Sequence, residues 1–140
     1  MSEQDIEVVR DQFAATNERD FERAMALYAD DVVLVVPGPG IQSGRYEGKQ
    51  AVGEWFGDWF GTFDPDYRFE IDEAREIGDL IFIHAAHGGR GRVSGAEVRS
   101  ESSYLYRVRG GKVAYVEFHW ERDEALQSAE SPGRSKGETD

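Results

Sequence analysis

The sequence predicts an α+β fold in which one curved antiparallel or mixed sheet wraps around three N-terminal helices. Three observations carry this. Helical three-to-four spacing of apolar residues fills the first sixty positions, interrupted by one short apolar run. Period-two alternation takes over after Pro65 and runs almost to the end. The two patterns are segregated along the chain rather than interleaved, which is the signature of α+β and not of a parallel α/β sheet. With 140 residues, three Trp, six Tyr and eight Phe, the chain is long and apolar enough for one domain with a true core, expected over residues 1–127.

Ile6, Val9 and Phe13 fall on one face of a helix predicted over 3–18. Asp20 is placed to cap a second helix with the face Phe21, Met25 and Tyr28. Val32 to Val36 is a short strand, apolar on both faces and therefore covered on both sides. Pro37 to Gly44 reads as a loop. A third helix begins at Gly48, carries the stripe Val52, Trp55, Phe56, Trp59 and Phe60, and ends at Gly61. In the second half, Tyr67, Phe69 and Ile71 oppose Arg68, Glu70 and Asp72, and Gly78-Asp79 makes a two-residue turn into a strand over 80–87. The glycine-rich run 87–95 is a flexible stretch that bends or bulges the sheet. Strands over 98–108 and 113–120 follow, joined at Gly110-Gly111. Residues 128–140 are polar and are expected to form a disordered tail.

The formal net charge of −12 opposes binding to nucleic acid or to an anionic membrane, since both require basic surface. There is no cysteine, so neither a disulfide framework nor thiolate chemistry is available. No signal-peptide core and no run of membrane-spanning length is present, and the expected location is cytoplasmic. The arginines and lysine of 90–112 read as solvated strand faces paired with acids.

The stretches RDFERAMALYADDVVLVVPG, GRYEGKQAVGEWF, HGGRGRVSGAEV and YLYRVRGGKVAYVEFHWERDEAL resemble the SnoaL-like branch of the nuclear-transport-factor-2-like superfamily. The resemblance implies a cone-shaped sheet closed by helices, an apolar pocket inside it, and a homodimer built through the outer sheet face, here bearing Leu105 and Tyr115. Ketosteroid isomerases of this superfamily keep a general base before the proline that follows the first strand, where this chain has Val36. Their tyrosine on the first helix is matched by Gln12, their second acid by Ser103 or Tyr104, and their supporting tyrosines by Tyr28 and Phe56. The water-activating acid of the related epoxide hydrolases is matched by Phe118. A valine cannot abstract a proton, so steroid-isomerase chemistry is not expected.

Sheet alternation yields the candidate site. With Val116, Phe118 and Trp120 inward, Glu117 and His119 face out. Tyr104 and Tyr106 face in on the neighbouring strand, as do Phe82 and His84 on the next. His84 is then the candidate proton carrier, assisted by Tyr104, with Tyr28, Val36, Trp55, Phe56, Trp59, Phe82, Tyr106, Val116, Phe118 and Trp120 binding substrate. A one-residue slip reverses each list and encloses Glu117, His119 and Glu101 as an acid–base cluster instead. His84 and His87 stand three apart, a spacing that separates faces on a strand, so no metal site is expected. Two functions remain open: a cofactor-independent acid–base enzyme (isomerase, cyclase, dehydratase or hydrolase) for a hydrophobic small molecule, or a ligand-binding or assembly module without turnover.

Overall fold

The computed structural model describes residues 2–37, 43–60, 68–90 and 97–130. Its elements, in chain order, are α1 (Ser2–Asn17), α2 (Phe21–Ala26), β1 (Tyr28–Val36), β2 (Gly44–Glu47), α3 (Lys49–Phe60), β3 (Arg68–Ile77), β4 (Leu80–Arg90), β5 (Glu97–Arg109), β6 (Lys112–His119) and α4 (Arg122–Ala129). The strands form one six-stranded sheet in the order β2-β1-β6-β5-β4-β3. All neighbours are antiparallel except β1 and β6, so the sheet is mixed. The expected α+β class stands.

Each early element ends for a local reason. Asn17, the last residue of α1, donates from Nδ2 to the Phe69 carbonyl and accepts from the Phe69 amide, both at 2.8 Å, which ties the helix to β3. Asp20 caps α2 by accepting from the Arg23 amide at 3.2 Å. Tyr28, expected on the α2 face, instead begins β1, because α2 stops at Ala26 after less than two turns. Gly78 (φ 61°) makes the β3–β4 turn, and Gly110 and Gly111 (φ 59° and 80°) make the β5–β6 turn, where left-handed backbone suits tight hairpins. Two elements escaped the sequence reading. β2 is only four residues long and follows the expected loop. The helix α4 carries few apolar residues and includes Ser128 and Ala129, which the sequence assigns to the tail. Of the other expected features, the helix stop at Gly61, Tyr67, the loop residues 38–42, most of the glycine-rich run (91–96) and residues 131–140 lie outside the described residues.

The sheet buries both of its faces. On one, α1 and α3 supply Val9, Phe13, Val52 and Trp55 to a core with Val32, Leu34 and Val36 of β1, Ile81, Ile83 and Ala85 of β4, Tyr104 and Tyr106 of β5, and Val116 and Phe118 of β6. On the other, Leu80, Phe82 and Leu105 pack beneath Ala125, with Leu126 and Ala129 at the margin. Arg75 and Arg122 lie over the Phe82 ring, their guanidinium carbons 5.6 and 5.4 Å from its centroid. β4 therefore runs opposite to the expected parity. Ile81, Ile83 and Ala85 face the helices, while Phe82 and His84 face away. The register explains it: Phe82 pairs with Leu105 and His84 with Ser103, so each must share a face with those residues and not with Tyr104.

Leu105 is fully buried between β5 and α4. Leu105→Ala is expected to destabilise the fold by about 2–5 kcal/mol through lost burial and a residual cavity, read as a lower midpoint in denaturant titration.

Candidate functional site

A cavity of about 950 Å³ opens between the helical layer and the inner sheet face. Three helices and three strands build it. From α1 come Gln12, Phe13 and Thr16, on the same helical face as the core residue Val9. The α1–α2 junction and α2 supply Arg19, Phe21 and Met25. α3 contributes Gln50, Gly53, Phe56 and Gly57, and the floor is Tyr28, Phe69, Tyr104 and Tyr106. Seven aromatic residues line it: Phe13 meets Tyr104 edge-on at 5.6 Å and Phe69 edge-on at 5.9 Å, and Tyr28 stacks on Phe56 at 6.4 Å.

Arg19, Lys49 and Glu54 also border the cavity, but the polar groups buried in its wall are neutral. Burial raises the Tyr28 phenol above its ordinary range, and neighbouring Tyr104 adds to the rise while the Gln12 amide opposes it. Burial likewise raises Tyr106, with Tyr28 and Tyr104 contributing. Both stay protonated and can donate. Ser102 Oγ donates to the Tyr104 hydroxyl at 2.9 Å. Gln12 is only 4% exposed; its amide lies near the Tyr28 phenol, but its Nε2 completes no hydrogen bond with any of the described residues. A buried amide N–H with no acceptor costs about 1–3 kcal/mol, and none of the described residues supplies one with hydrogen-bond geometry.

The expected site residues divide. Tyr28, Phe56, Tyr104 and Tyr106 line the cavity. Val36, Trp55, Val116 and Phe118 are core residues that do not border it: Trp55 packs on Phe118 at 6.0 Å. Phe82 lies on the other face of the sheet. Trp120 is half exposed and set edge-on to Phe118 at 4.8 Å, and the Trp59 side chain lies outside the described residues. The expected proton carrier His84 is away from the cavity altogether. Its Nδ1 meets Ser103 Oγ at 2.8 Å and its Nε2 meets Glu101 Oε1 at 3.0 Å, on the outer face. The residue that faces inward is His87, buried, stacked on the cavity residue Phe69 at 5.1 Å. Desolvation lowers its pKa to about 4, so it is neutral at physiological pH.

Glu117 and His119 face outward as expected, but the face is not open. The carboxylate of Glu117, 2% exposed, accepts from Tyr115 Oη, His119 Nε2 and, at 2.6 Å, Ser128 Oγ of α4. Leu105 and Tyr115, expected to serve a homodimer, are likewise buried within the one chain. Of the basic residues of 90–112, Arg107 meets Asp79 at 2.8 Å and Arg109 meets Asp31 at 2.6 Å. Among the described residues no three His, Asp or Glu side chains gather as a metal site, and no helix is long and apolar enough to cross a membrane.

Sequence reasoning passed over Gln12 as a ligand group, although a glutamine on the same helical face as Val9 and Phe13 is the signal that marks it. Gly53 and Gly57 carried no signal beyond their low helix propensity.

The model of the SnoaL-like domain family matches residues 9–116. No curated protein matches the sequence. Among solved structures, Bal32a from a soil-derived mobile gene cassette superposes with a TM-score of 0.75 at 19% identity, over 84% of this chain and 89% of that one. TerC, co-crystallised with polyporic acid, gives 0.72 at 20% identity, over 91% and 99%. A Catenulispora acidiphila protein with a ketosteroid isomerase-like fold, in complex with trimethylamine, gives 0.70 at 19% identity, over 81% and 85%. At these identities the likeness is one of fold.

The buried neutral His87 makes a pH prediction with a definite sign. Between about pH 6.5 and 4 the unfolded chain binds a proton at this imidazole that the folded chain refuses. Stability is therefore full above the unfolded value and falls as pH drops through that window, by an amount on the order of 2–3 kcal/mol. Denaturant midpoints measured between pH 7 and 4.5 should show the decline, and His87→Phe should flatten it.

Proposed function

The chain belongs to the SnoaL-like domain family, and we propose that within it the protein binds a hydrophobic small molecule bearing a hydrogen-bond acceptor such as a carbonyl. The observation that carries this is the Gln12 amide, buried without a partner in the wall of an aromatic cavity of about 950 Å³. An apolar cavity with a few convergent polar groups is the general form of a small-molecule site. Tyr28 and Tyr106, kept protonated by burial, add further donors for the same acceptor. A relative in fold that was co-crystallised with polyporic acid supports reading this space as room for an organic ligand.

Binding follows from the residues present. The ring faces of Phe13, Phe56 and Phe69 replace water around the apolar body of the ligand. The ligand acceptor takes the proton-bearing side of Gln12 Nε2 and removes an unsatisfied donor, so the hydrogen bond gains more than an exposed one would. Gln12→Leu keeps the shape and deletes the donor. It should weaken binding of an aryl ketone such as 4-acetylbiphenyl by roughly 1 kcal/mol, about five- to tenfold, in titration calorimetry. It should at the same time leave thermal stability unchanged or raised, because a buried unpaired amide is lost. Equal affinity in the two proteins would refute the assignment of Gln12.

Acid–base turnover is the second reading, and one observation favours it: His87 is a neutral imidazole on the inner side of β4, in ring contact with a cavity residue. His87 lies one ring behind the cavity wall, so as a neutral imidazole it would take the proton through a bound water while Tyr28 or Tyr106 donates to the oxygen that becomes negative. An isomerase, cyclase, dehydratase or hydrolase would use these same parts without a cofactor. Ketones and esters incubated with the protein and followed by NMR would decide. Conversion that His87→Gln abolishes while binding persists supports turnover, and binding with no conversion supports a carrier or sensor.

A further inference from the structure

The geometry points to Gly57 as a specificity-determining position: it keeps the α3 wall of the cavity open so that a ligand longer than the interior can pass along bare backbone. This rests on the ligand-binding reading above. Gly53 and Gly57 stand one turn apart on α3 and both border the cavity. Glycine inside a helix is unfavourable relative to alanine, so two on one face ask for a reason. Gly53 has one in packing. A Cβ there would come within 2.9 Å of Met25 Cε, so α2 and α3 approach closely at that point.

Gly57 has no such reason. It is exposed, its backbone lies outside the left-handed region, and among the described residues an added Cβ would meet nothing within 4 Å. Neither conformation nor packing calls for glycine. What sets it apart from an ordinary exposed helix position is that it borders the cavity, at the solvent-facing edge of the α3 wall. An independent feature of the same cavity points to an occupant: the buried Gln12 amide without a partner. Phe21 of α2, 44% exposed, borders the same cavity and offers an aromatic face to the outer part of a ligand. A molecule anchored by its acceptor at Gln12 and extending past Gly57 uses all three.

Two probes with the same carbonyl and different lengths test this, acetophenone and 4-acetylbiphenyl, each titrated against wild type, Gly57→Ala and Gly57→Leu. Leucine should weaken 4-acetylbiphenyl by about tenfold or more, the usual scale of an overpacked contact, and change acetophenone by less than about twofold. Gly57→Ala should raise the melting temperature by about 2–4 °C, which reports that the helix is intact. Equal weakening of both probes, or no effect of leucine on either, would overturn the assignment of Gly57 while leaving cavity binding in place. Failure of wild type to bind either ketone would overturn the ligand-binding reading, and this inference with it. Comparable weakening of both ketones in Gln12→Leu, against selective weakening of the longer one in Gly57→Leu, separates anchor from wall.

Discussion

The pairing of β5 with both of its neighbours is the constraint on which the rest of the structure depends. Tyr104 lies opposite Ile83 on one side and Phe118 on the other, while Ser103 lies opposite His84 and His119. Directly paired residues share a face, so a single alternation along β5 sorts three strands at once. Tyr104 and Tyr106 go to the cavity with Ile83 and Phe118. Ser103 and Leu105 go to the outer face with His84, Phe82, Glu117 and His119. No side chain on β4 or β6 can change sides without breaking that ladder, and the identity of the inward histidine follows from it.

The two faces treat polarity differently. On the outer face every buried polar side chain among the described residues finds a partner within the chain. Glu117 gathers Tyr115, His119 and Ser128, and His84 bridges Ser103 and Glu101. A buried carboxylate demands such company, since an uncompensated charge there would cost several kcal/mol. These groups act as a seam that fastens α4 over the sheet, beside the apolar contact of Ala125 with Phe82 and Leu105. On the inner face the provision is incomplete. Gln12 lacks an acceptor, and the phenols of Tyr28 and Tyr106 are pressed toward neutrality by burial. The contrast separates a structural polar cluster from a site: the first closes upon itself, the second leaves a bond to be made.

Legibility in the sequence followed the strength of the physical signal. The α+β class, the Asp20 cap, the two glycine turns and, apart from the half-exposed Trp120, the inward set on β5 and β6 were readable, because each rests on a local pattern or on large apolar side chains that must be hidden. β4 was not. Its run Leu80-Ile81-Phe82-Ile83 is apolar on both faces, so alternation cannot say which half meets the helices. The ambiguity existed because α4 covers the second face, and α4 itself was hidden by a polar sequence whose only buried residue is Ala125. One unseen helix thus displaced the histidine assignment: with the outer face taken as open, Phe82 had to point inward and carried His84 with it.

That error also bears on how an absence should be understood. The chain has Val36, Gln12 and Phe118 where related enzymes keep working groups, and from sequence this reads as loss. In the structure the three positions are not alike. Val36 and Phe118 have joined the apolar core, where a carboxylate would be an uncompensated charge. Gln12 alone remains at the cavity wall, and it remains polar. A core position can become apolar at no functional cost, whereas a buried amide without a partner carries a penalty that packing does not explain. The surviving cost, and not the missing acids, is what sets Gln12 apart from the other two positions.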